Sequence, residues 1–99
     1  MRATSVVVEG VHNGAMNITF KLFATLTDYL PPEAKYTNRI EVVVPDGTTI
    51  GQMIENYRLP EKWVHLVLVN GSYIAPADRA TYCLSEGDAL AIWPPIAGG

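Results

Sequence analysis

The sequence predicts an α+β domain in which one main helix covers one face of a mixed sheet. Three observations carry that prediction. Residues 17–23, "NITFKLF", alternate apolar and polar side chains with period two, the mark of a strand with one face toward a core. "TTIGQMIENY" repeats apolar residues at helical spacing. Short β-branched runs, each bounded by turn residues, fill much of the rest.

The first strand places Ile18, Phe20 and Leu22 on one face and Thr19, Lys21 and Phe23 on the other. "ATLTDYL" follows as a short helical turn, stopped at Pro31 and Pro32 because proline has no N–H to donate. After the polar segment "EAKYTN", Arg39 to Val44 ("RIEVVV") form the second strand. "PDG" at residues 45–47 is turn chemistry, with proline presetting φ and glycine free to take a positive value.

The helix begins directly after that turn. Thr49 and Gln52 have capping-box spacing, each side chain reaching an unpaired backbone N–H of the first turn. Ile50, Met53, Ile54 and Tyr57 share one face, which packs on the sheet, and Pro60 is expected to end the helix. "VHLVLVNG" (residues 64–71) closes on Asn-Gly, a strong two-residue hairpin signal, with "SYI" as a short return strand. "SEGD" introduces the last strand, Ala89 to Trp93. A hairpin, one helix and further strands in this order point to the β-grasp, with a sheet of four to five strands.

Composition narrows the function. The 99 residues fit one domain. A net charge of −3, with no run of Lys or Arg, removes the electrostatic footprint of a nucleic-acid binder. The N-terminal apolar run of three valines is too short for a signal peptide or a membrane span, so a cytoplasmic location is expected. Cys83, the single cysteine, leaves no intramolecular disulfide and no Cys-based metal cage, and it reads as a small buried hydrophobe. His12 and His65 lack a second ligand type at metal-binding spacing. Asp46, Glu86 and Asp88 read as turn formers, and no nucleophile–base constellation is visible.

"VNG" at residues 69–71, "LSEGDALA" at 84–91 and the closing "PPIAGG", together with the "DGTTIGQMI" helix entry, resemble the ubiquitin-like sulfur-carrier family. The resemblance is strongest to the small subunit of molybdopterin synthase and spans about Met16 to Gly99. It divides the chain into an extension (1–15), a β-grasp domain (16–93) and a tail (94–99). In such carriers the terminal glycine carboxylate is adenylated and then converted to a thiocarboxylate. By resemblance Gly99 is the reacting residue here.

Glycine at 98 and 99 suits that role, because it lets the chain end pass a narrow channel without side-chain clashes. Pro94, Pro95, Ile96, Ala97 and Gly98 form the arm. At about 3.1 Å per residue in polyproline geometry the tail reaches roughly 19 Å, enough to enter a deep cleft. Trp93 and Ala91 are expected on the sheet face away from the helix, as a partner-docking surface.

The resemblance implies no bound cofactor, with MgATP used by an activating partner. The implied partners are a ubiquitin-activating-type adenylyltransferase, a sulfur donor enzyme and the large subunit of molybdopterin synthase. Carriers for thiamine, cysteine or tRNA thiolation, and ubiquitin-like protein modifiers, share the glycine pair and stand as alternatives.

Overall fold

The computed structural model describes residues 14–95. Five strands form one mixed sheet among them: β1 (Ala15–Leu22), β2 (Arg39–Pro45), β3 (Leu66–Val69), β4 (Ser72–Tyr73) and β5 (Ala89–Trp93). Their order across the sheet is β2-β1-β5-β3-β4. The helix α1 spans Ile50–Asn56, and short 3-10 turns occupy Ala24–Tyr29, Pro32–Ala34, Glu61–Trp63 and Pro76–Asp78. β1 runs antiparallel to β2 and parallel to β5, and β3 is antiparallel to both β4 and β5.

Alternation along β1 decides which side becomes the core. Met16, Ile18, Phe20 and Leu22 are all buried, and they meet Leu90 and Ile92 of β5 and Val67 and Val69 of β3 in one cluster. Ile50 and Met53 of α1 complete that cluster, together with Leu26, Leu30, Leu59, Ile74 and Leu84 from the connecting segments. The odd-numbered positions of β1 and their cross-strand partners form the second face.

The capping box is present: the Gln52 N–H donates to Thr49 Oγ1 at 3.1 Å, and the Thr49 N–H donates to Gln52 Oε1 at 2.9 Å. The helix stops before the proline expected to end it. Arg58 takes a left-handed φ of 57°. The Leu59 N–H then reaches the Ile54 carbonyl and the Arg58 N–H the Glu55 carbonyl, both at 3.0 Å, which is a Schellman closure with arginine where glycine is usual. The Pro60 ring therefore follows a helix that is already capped.

Asn70 and Gly71 have φ of 52° and 86°, so the Asn-Gly hairpin forms with the twist that suits its flanking strands. Cys83 is exposed, contrary to the buried position expected of it. It forms an isolated antiparallel bridge with Thr49, and the extended backbone there turns Leu84, only 4% exposed, inward in its place. β1 begins at Ala15, opposite Pro45, two residues ahead of the expected strand start at Asn17 and one ahead of the expected domain start at Met16. Gly14, just before it, accepts the Asp46 N–H at 2.9 Å, and residues 1–13 lie outside the described residues.

Thr49→Ala removes an acceptor that the first turn cannot replace, and should cost about 1 kcal/mol of stability, read by chemical denaturation. Tyr57 packs its ring on Phe20, centroids 4.6 Å apart, and burial raises its phenol above the ordinary 10.0. The unfolded chain ionises first, so the stability contributed by the neutral phenol is complete below about pH 10 and is lost as pH rises through the folded value. Tyr57→Phe should therefore lose less stability than the wild type between neutral and strongly alkaline pH, measured by denaturation at each pH.

Candidate functional site: the end of the last strand

The candidate site is built where β5 leaves the sheet. Its Thr19↔Ala89 to Leu22↔Ile92 register with β1 and its Leu66↔Trp93 to Val69↔Leu90 register with β3 pair it along both edges. The bonding continues to the last residue: the Phe23 N–H donates to the Ile92 carbonyl at 3.2 Å, and the His65 N–H donates to the Trp93 carbonyl at 3.0 Å. Pro94 is buried and Pro95 exposed. Ile96, Ala97, Gly98 and Gly99 lie outside the described residues.

Three side-chain arrangements hold this root in place. The Asn70 amide donates from Nδ2 to Asp88 Oδ1 at 2.8 Å and accepts the Ala89 N–H on Oδ1 at 2.9 Å, while Asp88 Oδ2 accepts the Ser85 N–H at 2.8 Å. The "VNG" and "SEGD" motifs are thus two halves of one hydrogen-bonded lock at the start of β5. Glu86 adds to it by accepting from the backbone and side chain of Asn17 at 2.9 and 3.1 Å. Arg79, 8% exposed, donates to the carbonyls of Ile74, Val64 and His65. This satisfies a buried guanidinium and fastens the residues that enter β3, one of which bonds Trp93. Asp88 and Glu86 confirm the turn-forming role expected of them, whereas periodicity carries no signal for the Arg79 clamp.

Trp93 lies on the open face, as alternation predicts, and is half-buried. Its cover is Phe23, the residue after β1: the rings stack with centroids 4.2 Å apart and planes 3° from parallel. Ala91, on the same face, is 8% exposed, since its methyl sits between the longer side chains of its strand partners Lys21 and Leu68. Trp93 is therefore the surface element of the expected pair, and Ala91 supplies a flat floor. No group of residues able to hold a metal ion occurs among the described residues, and His65 is exposed. His12 lies outside the described residues. No described helix is long and apolar enough to cross a membrane.

A five-stranded mixed sheet with one main helix on one face and its last strand central is the ubiquitin-like β-grasp. Residues 15–97 match the family described as Mut7-C ubiquitin, and the chain belongs to that family. No curated protein sequence matches significantly. Among solved structures, the chain is similar to the HVO 2177 protein of Haloferax volcanii, with TM-score 0.69 and 22% identity over 99% of this chain and 100% of that one. It is also similar to SAMP1 of the same organism, with TM-score 0.58 and 24% identity over 84% and 99% of the two chains. A putative molybdopterin converting factor subunit 1 from Pyrococcus furiosus gives TM-score 0.60 and 19% identity over 82% and 99%. At these identities the likeness to solved structures is one of fold.

A stacked aromatic pair contributes about 0.5–1.5 kcal/mol beyond burial. A double-mutant cycle of Phe23→Ala and Trp93→Ala should give a coupling energy in that range by chemical denaturation. Additive losses would mean that the two rings do not stack in solution.

Proposed function

We propose that this protein is a sulfur carrier whose working group is the carboxylate of Gly99, donating sulfur in the biosynthesis of molybdopterin, the organic part of the molybdenum or tungsten cofactor. The observation that carries this reading is the placement of β5. A strand bonded on both edges and locked at its start gives the segment after Trp93 a fixed root, and the sequence beyond it is two prolines, two small apolar residues and two glycines. A rigid root aims the chain end into a partner, while the glycines let it pass.

The chemistry belongs to the partners. A carboxylate is a poor electrophile until an adenylyltransferase sets its oxygen on the α-phosphorus of ATP, releasing pyrophosphate and forming an acyl-adenylate. A sulfide equivalent from a sulfur donor enzyme then attacks the acyl carbon, AMP departs, and a thiocarboxylate remains. That group is ionised at neutral pH and is nucleophilic for the reason thiolates are. Trp93, presented beside the root, docks the synthase large subunit. The fold shared with the Pyrococcus furiosus converting factor subunit supports this reading.

A second reading, as a protein modifier, draws on the fold shared with a small archaeal modifier protein, SAMP1, from Methanosarcina acetivorans, TM-score 0.54 and 19% identity. Both readings begin with adenylation of Gly99.

Deleting Gly99, or extending the chain past it, should abolish pyrophosphate release with the activating enzyme and MgATP. The circular dichroism should stay unchanged, because the described core draws on nothing beyond Ile92. Turnover by a correctly folded variant would overturn the role of the chain end.

A further inference from the structure

The open sheet face is electrostatically lopsided. Lys21 and Arg39 stand directly opposite each other on β1 and β2, and like charges so placed destabilise a strand pair. Elsewhere a surface lysine has an acidic neighbour, Lys35 with Asp28 at 3.8 Å. Among the described residues no carboxylate lies within ion-pair distance of Lys21 or Arg39. Glu41, the next acid on that face, faces Thr19 one pair further along and accepts its hydroxyl at 3.0 Å. Among the described residues these two adjacent cations therefore have no acidic partner, in a chain whose net charge is −3.

These cations line an open hollow with Phe23, Thr37 and Asn38. The hollow adjoins an apolar strip. Phe23 stacks on Trp93, Trp93 pairs with Leu66, Ala91 with Leu68, and Leu68 with Tyr73, so apolar side chains run across three strands and reach Tyr73, which is 58% exposed. Positive charge at one border and an aromatic stack beside it define a complementary ligand of opposite pattern.

We propose that this face docks an acidic, leucine-containing peptide segment of a partner protein, with carboxylates seated between Lys21 and Arg39 and an apolar side chain laid on the Phe23–Trp93 stack. Two cations on an acidic protein are too few to hold a nucleic-acid backbone. They are well suited to orient a peptide and to make its binding salt-dependent. The inference rests on the docking role given to Trp93 above and not on the chemistry of Gly99. The test involves no adenylation, so either can fail without the other.

The full ¹⁵N-labelled chain is titrated with a short peptide of glutamates interrupted by leucines, and with its glutamine counterpart. The expected result is chemical-shift change at the amides of Lys21, Phe23 and Arg39 and at the Trp93 indole, with the glutamate peptide binding at least about fivefold tighter than the glutamine one. Lys21→Gln with Arg39→Gln should abolish that preference, with thermal stability held or raised by removal of the repulsion, whereas Lys35→Gln should leave it intact. Equal affinity for the two peptides, shifts centred on Lys35, Arg58 and Lys62, or no binding would overturn the proposal.

Discussion

The parallel pairing of β1 with β5 is the contact on which the rest of the structure depends. It joins the first described strand to the last, and a parallel pair cannot be closed by a tight turn. Everything between Leu22 and Ala89 is therefore a long connection that must leave the sheet, cross the core and return. β2 and α1 occupy one part of that path and the β3–β4 hairpin the other, which yields the order β2-β1-β5-β3-β4. Phe20 and Leu22 of β1 and Leu90 and Ile92 of β5 are wholly buried at this junction. A polar substitution there would strike both halves of the sheet at once.

The same pairing gives the end of the chain its mechanical character. A terminal strand at a sheet edge would be bonded on one side and free to fray, and an arm growing from it would inherit that freedom. Here the last strand is held on both edges up to Trp93, and its start is locked by Asn70, Asp88 and Ser85. Order thus extends to the final residue before the prolines. The open face beside this exit carries the Trp93–Phe23 stack and two cations with no acidic partner among the described residues, so a surface for docking and a root for delivery lie next to each other.

Much of this was legible in the sequence, because the relevant signals are local. Period two in β1, the Thr49–Gln52 box and Asn70-Gly71 each act through neighbours a few residues apart, and each forms as expected. What could not be seen depends on pairings across the fold. Arg58 ends α1 in a left-handed conformation that glycine would have announced and arginine does not. Cys83 is exposed because its extended neighbour Leu84 takes the inward position, and composition alone favours the opposite. Arg79 looks like a surface cation until Val64, His65 and Ile74 are brought around it. Alternation alone places Trp93 on the open face, but its cover by Phe23 requires the register of β1 on β5. That Lys21 and Arg39 have no acidic partner among the described residues likewise needs both strands in place.

The central claim is that the residue at the end of this arm carries sulfur, and intact-mass spectrometry of the protein purified from its own host tests it most directly. The account predicts a species ending at Gly99 whose mass exceeds that of the free acid by the replacement of one oxygen with sulfur, which gains one alkyl group on treatment with a thiol-alkylating reagent and returns to the free-acid mass, with loss of sulfide, on hydrolysis. A chain joined through Gly99 to lysines of other proteins, with no sulfur-bearing form, would contradict it and establish conjugation instead.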